Sequence, residues 1–373
     1  MNRKTPLMAS ASLLLLLTAA PMLAACSNAQ PPAGEPRVLA TAASLPPAVE
    51  DALAQLFADR EAMGETRALL ILRDGEPIYE AYGPGYSAES KLISWSMAKS
   101  ITAVLIGFMV ADGRLALDDP APVPAWQRPG DPRGDITLRD LLHMASGLEH
   151  LEEGDPVWES DTVEMLFGGG STDMAAMAEA KPPVAEPGKD FNYSSATSVI
   201  LSDILAGALT DSDVPAVRRD AVRGLIAGRL AAPLGITSLT PEFDASGTMV
   251  GGSIMHATAR DYARFGEFLR RRGEAPDGTR ILPDRWFDFM LAPSPAYAGY
   301  GGHIWLNTPR PAGVQASLWP DKGPADLFAC LGHQGQYIIV SPRQNLTVVR
   351  LGISTDAQIP NVRDGLQRVM AGL

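Results

Sequence analysis

The chain has 373 residues, 46% of them hydrophobic and 20% charged, enough apolar material for a large core in one or two domains. A net charge of -12, with no basic arm or stripe after the N-terminus, makes it a poor match for nucleic acid. Its two cysteines, Cys26 and Cys330, cannot form a disulfide framework. Its five histidines (His143, His150, His256, His303, His333) lack the spacing of a zinc site, so no metal or cofactor is expected. Cys330 lies in the apolar run Leu327–Leu331 and reads as a small core residue.

In chain order, Arg3 and Lys4 precede an apolar run centred on Leu13–Leu17, and Leu23-Ala24-Ala25-Cys26 closes it. Residues 1–25 therefore read as a signal peptide. Small residues followed by Cys26 resemble the bacterial lipobox, whose cysteine is lipidated and becomes the mature N-terminus. An ordinary signal peptide cut nearby, or a single membrane anchor, fits the same stretch. All three place the rest of the chain outside the cytoplasm, in the cell envelope. Residues 26–45, rich in Pro, Ala, Gly and Ser, read as a flexible tether.

The spacing of Val49, Leu53, Leu56 and Phe57 predicts a helix. Ala68–Leu72 reads as a buried strand that turns at Asp74-Gly75 and returns through Ile78–Tyr82. From Leu115 to Pro241 strand signals are few. Thr137-Leu138-Arg139-Asp140 begins a short helix with a capping box, and Ala196–Leu209 and Val214–Leu230 read as longer helices. Arg260–Arg271 is amphipathic. Tyr300–Leu306, Asp326–Leu331, Gln336–Val340 and Leu346–Ile353 follow as strand candidates, and Ile359–Met370 closes as a helix. The expected fold class is α+β. An antiparallel sheet with terminal helices is built from residues 46–115 and 255–373, with a mostly helical inserted lobe at 116–254 and the site between lobes.

Three clusters carry the candidate chemistry. Ser96-Met97-Ala98-Lys99 opens a helix predicted from Ala98, Ile101, Val104, Leu105 and Phe108. The spacing puts Lys99 one turn from Ser96 on the same face. A lysine with a lowered pKa can act as the base that a serine nucleophile requires. An N-capping serine with a surface lysine fits the tetrapeptide equally. Tyr193-Ser194-Ser195 sits in a turn-rich loop that feeds a helix, where Tyr193 is either a proton shuttle or a core-edge residue. Gly332-His333-Gln334-Gly335-Gln336 opens a strand candidate; Gly335 permits close approach of a ligand, while His333 is either functional or an ordinary loop histidine. Trp95 and Trp158 read as cleft lining or core, Trp95 first as core.

Together, in this order, the three clusters resemble the motifs of serine β-lactamases and penicillin-binding proteins. The order and spacing are most similar to the class C β-lactamase, DD-carboxypeptidase and family VIII esterase branch. Thr137–Leu148 (TLRDLLHMASGL) and Gly251–Gly266 (GGSIMHATARDYARFG) share the likeness, and their wording is nearest the 6-aminohexanoate-dimer hydrolase-like group. The resemblance spans residues 46–373 and implies a β-lactamase/transpeptidase-like fold. It implies Ser96 as the acylated nucleophile, Lys99 as the group sharing its proton, and Tyr193 as general base in acylation and then acid to the leaving group. The backbone N–H groups of Ser96 and Gln336 would form the oxyanion hole. His333, Gly335, Ser195 and Trp158 would contact substrate.

Two departures matter. Ser195 stands where β-lactamases and DD-peptidases of this branch usually have Asn, and His333 where many relatives have Lys. A histidine mostly neutral at pH 7 is a weaker hold on a carboxylated β-lactam than a lysine. The expected activity is therefore an exported serine hydrolase acting on ester or amide bonds of small molecules, anchored to the membrane through Cys26. A β-lactamase or DD-carboxypeptidase, and a non-catalytic sensor lipoprotein, are the alternatives.

Overall fold

Every side chain from Ala68 to Leu72 is buried, so this strand is covered on both faces. Successive side chains alternate across a strand: Leu69 and Ile71 point to one side, Ala68, Leu70 and Leu72 to the other. The computed structural model describes residues 34–41, 44–309 and 317–373; the targeting segment and Cys26 lie outside the described residues. The strands are β1 (Arg37–Thr41), β2 (Glu65–Arg73), β3 (Glu76–Tyr82), β4 (Leu92–Ile93), β5 (Thr240–Pro241), β6 (Met255–Ala257), β7 (Trp305–Leu306), β8 (Phe328–Gly332), β9 (Gln336–Ser341) and β10 (Leu346–Ile353). Seven of them form one antiparallel sheet in the order β1-β3-β2-β10-β9-β8-β7, and β4-β6-β5 form a smaller one.

The first and last helices, Pro47–Ala58 and Ile359–Gly372, cover one face. Val49, Leu53, Leu56, Val362 and Leu366 pack there on Leu69, Ile71, Ile339 and Val348. Burying each such side chain contributes about 1.5–3 kcal/mol. The Ala259–Arg270 helix covers the other face with Phe265 and Phe268. That second core runs on through the Ala98–Ala111 helix into the helices between the two halves of the sheet. Thr137 and Asp140 form the expected capping box around Leu138–Leu142, and the Ser195–Leu209 helix packs against Ala98–Ala111.

Two expectations are corrected. Residues 37–41, placed by composition in the tether, form β1 at the sheet edge, with Arg37 opposite Tyr82. Val38-Leu39-Ala40 has the apolar, extended character of an edge strand, although Val38 and Leu39 stay exposed. The strand expected over Tyr300–Leu306 is confined to Trp305–Leu306. Gly301 and Gly302 pass so close to Met290 and Phe289 that a side chain would not fit, and His303 takes φ +59°; the chain there turns instead of extending.

Candidate active site

The chain enters the site through β4. Ser94 N–H donates to Met255 O at 2.8 Å, and Ser94 Oγ accepts from Met255 N–H at 3.1 Å. Tyr262 Oη donates to Leu92 O at 3.0 Å. Trp95 then adopts φ +43°, a left-handed conformation that a bulky residue rarely takes. This turn sets Ser96 in the short Trp95–Met97 helix that runs directly into Ala98–Ala111. Lys99 follows one turn on and is 1% exposed.

Lys99 Nζ donates to Ser96 Oγ at 3.0 Å, Ser195 Oγ at 2.7 Å and Gly252 O at 2.7 Å. Three acceptors match the three protons of an ammonium. Burial pulls the lysine pKa down to about 8, and the charge of Glu152 opposes that fall. The Tyr193 ring lies 4.7 Å from Nζ. Burial and the Glu152 charge push the pKa of its phenol up, and the neighbouring Ser96 and Trp305 side chains offset part of that rise. Tyr193 is held by Trp305 and Tyr300, at ring separations of 5.3 and 5.8 Å. Its loop is pinned where Asn192 N–H donates to Met144 O and Asn192 Nδ2 to His150 O. Ser194 Oγ then caps the helix that carries Ser195.

The structure thus brings Ser96, Lys99, Tyr193 and Ser195 together. It adds Glu152, which the sequence did not single out. Glu152 accepts from Ser195 N–H at 2.5 Å, Ser195 Oγ at 2.7 Å and Thr162 Oγ1 at 2.7 Å, and its Oε1 lies 3.8 Å from Lys99 Nζ. Gly252 and Ser253, whose hydroxyl donates to Ser195 Oγ at 3.2 Å, lie in the Gly251–Gly266 stretch that shares the family likeness but were not expected in the site. The signal was faint: Glu152 stands in an acidic, aperiodic stretch 43 residues from Ser195.

The third cluster is the β8–β9 turn. Gln334 and Gly335 take φ +61° and +80°, and the turn is fastened from behind by Arg350, which is fully buried. Arg350 donates to Gly335 O at 2.8 Å, Gln334 O at 3.3 Å and Ser354 Oγ at 2.9 Å. Gln336 lies at the start of β9, and both strands of the hairpin pack on the Trp95–Met97 turn. The Gln336 side chain holds His333 O and Gly352 O at 3.0 and 2.7 Å. His333 is exposed, and its ring meets Trp95 edge-on at 5.4 Å. Trp95, read first as core, is instead half-buried beside His333, with a buried indole N–H that has no hydrogen-bond partner among the described residues. Trp158, expected beside the substrate, is 71% exposed on the Val157–Glu159 turn.

With this geometry in view, the relatives are informative. The profile of the Beta-lactamase family matches residues 53–356. Over 310 residues the chain is 25% identical to the 6-aminohexanoate-dimer hydrolase of Paenarthrobacter ureafaciens, covering 81% of this chain and 76% of that protein. A penicillin-binding protein homologue from Caulobacter crescentus superposes with TM-score 0.61 at 17% identity, covering 90% of this chain and 100% of the other. A family VIII carboxylesterase superposes with TM-score 0.59 at 16% identity, covering 90% and 99%. The chain belongs to the β-lactamase family: it is a serine hydrolase on the β-lactamase/transpeptidase fold.

Proposed function

We propose that the chain is an exported, lipid-anchored hydrolase that cleaves ester or amide bonds of small molecules through a Ser96 acyl-enzyme. The observation that carries this reading is a fully buried lysine in direct hydrogen-bond contact with a half-buried serine. In its amine form, Lys99 takes the Ser96 proton as Oγ attacks the carbonyl carbon. The oxyanion is received by the backbone N–H groups of Ser96 and Gln336. Collapse expels the alcohol or amine, which takes a proton from the site, and water then releases the acid from Ser96. Burial and the charge of Glu152 both favour the Tyr193 phenol over the phenolate. That suits Tyr193 as the proton donor to the leaving group and gives the base role in acylation to Lys99, a division different from the one the sequence implied.

Export and the anchor rest on Arg3, Lys4, the Leu13–Leu17 run and Cys26. Ser195 and the exposed His333 replace the polar groups that would hold a β-lactam carboxylate, which favours uncharged ester and amide substrates. The 25%-identical relative named a 6-aminohexanoate-dimer hydrolase supports a hydrolase of small molecules. The test is a turnover panel with a short-chain p-nitrophenyl ester, a linear amide and a penicillin, each run with the Ser96→Ala variant. Ester turnover well above penicillin turnover, abolished in the variant, is the expected result. Penicillin as the preferred substrate would move the chain to the cell-wall alternative.

A further inference from the structure

Glu152 is the acidic group of the serine cluster, and its part in the reaction is open. Its carboxylate is anchored on three sides, by Ser195 N–H, Ser195 Oγ and Thr162 Oγ1, while its backbone carbonyl accepts from Ser160 Oγ at 2.6 Å. Such fixing is what a positioned charge needs, since a free side chain would be screened by water. Ser195 Oγ accepts from Lys99 and donates to Glu152, so it joins the two charges through one hydroxyl, and the direct Nζ–Oε1 separation is 3.8 Å.

Near the pair, Asp161 and Lys181 are charged but pair with each other at 2.5 Å, and burial favours the uncharged form of the imidazoles and phenols. Burial draws His303 down to about 3 and lowers His150; it pushes the Tyr193 and Tyr300 phenols up. Ser195, Gly252 and Ser96 face Lys99 with uncharged groups. Glu152 is therefore the charge that balances Lys99 among the described residues of the cluster.

We propose that Glu152 is the third member of the proton-transfer set, a positioning residue that clamps Ser195 and stabilises the ammonium formed when Lys99 takes the Ser96 proton. This inference rests on the serine-hydrolase reading above. As the bond from Ser96 Oγ to the carbonyl carbon forms, the proton moves from Oγ to Nζ, and positive charge appears 3.8 Å from Oε1. A fixed carboxylate stabilises that charge without rearranging, as the aspartate does for histidine in a serine-protease triad. Glu152 also helps a serine serve at position 195: with Lys99 and Ser253 donating to its oxygen, the carboxylate accepts from its hydroxyl and its backbone N–H.

The test is the pH dependence of kcat/KM for the p-nitrophenyl ester in the wild type, Glu152→Gln, Glu152→Asp and Ser96→Ala. Losing the charge lets Lys99 shed its proton more easily. The rising limb of Glu152→Gln is expected to move to lower pH by about 1–2 units, and the plateau to fall by about tenfold because a weaker base remains. Glu152→Asp, whose shorter carboxylate stands farther from Nζ, is expected to place the limb between those two. A merely structural role would lower the amplitude and leave the limb in place, so an unmoved limb in Glu152→Gln overturns the inference. If Glu152→Gln does not fold, an unmoved limb in Glu152→Asp does the same. An active Ser96→Ala would instead defeat the serine reading itself, so the two failures are distinguishable.

Discussion

Replacing Lys99 with methionine is expected to lower kcat/KM for the ester by about 10³-fold or more, the scale of losing a nucleophile's activating base. Methionine roughly conserves the buried volume, so the helix around it keeps its packing. The cost falls on chemistry, together with about 1–3 kcal/mol of stability because Gly252 O loses its donor in the interior. The wild-type profile should rise with pH through about 8. Below that value Lys99 is an ammonium with no lone pair to offer; above it the amine can accept the Ser96 proton. The rise should be absent from whatever residual rate Lys99→Met retains. A pH-resolved turnover assay with a thermal melt as control measures both, and wild-type turnover in a folded Lys99→Met would refute the assigned base.

The second large effect is at Gly332, where no catalytic atom resides. A Cβ built on Gly332 would lie 2.3 Å from Ser94 O and 2.9 Å from Gln336 Cβ, and the Ser94 carbonyl, being backbone, cannot swing aside. Gly332→Ala should push the β8–β9 hairpin away from the Trp95–Met97 turn. The His333–Gly335 turn cannot follow independently, because Arg350 ties it to the sheet from behind. Misplacing catalytic groups by ~1 Å costs about 10²-fold, and overpacking costs about 1–3 kcal/mol. The expected outcome is a folded protein with a modestly lower melting temperature and ester turnover down by about 10²-fold. Unchanged kcat/KM in Gly332→Ala would show that the hairpin does not set the serine's geometry.

The legible parts of the fold were those written in short-range patterns. The strand over Ala68–Leu72, the Asp74-Gly75 turn, the Ala98–Ala111 helix and the Thr137–Asp140 cap are each specified by neighbours in sequence. Edge strand β1 was missed because pairing with β3 depends on a partner about forty residues away, and its short apolar run is flanked by tether-like Pro, Ala, Gly and Ser. Within the site, Ser96, Lys99, Tyr193 and Ser195 carried signatures of spacing and loop chemistry. Glu152 and Arg350 did not. Both act through contacts of high sequence separation: Glu152 on Ser195, and Arg350, read simply as part of a strand, on the turn 15 residues before it. Trp95 was misjudged for a related reason. Its apolar ring fits a core by composition, and only the left-handed backbone that directs it beside His333 reveals its place.

The central claim is that Ser96 is acylated, and covalent labelling reads it most directly. The purified chain would be treated with a fluorophosphonate, its intact mass measured and the adduct mapped by peptide mass spectrometry. One adduct per chain on the peptide carrying Ser96, absent from Ser96→Ala and slow to form in Lys99→Met, is the predicted result. No adduct, or an adduct on another serine while Ser96→Ala still labels, would contradict it.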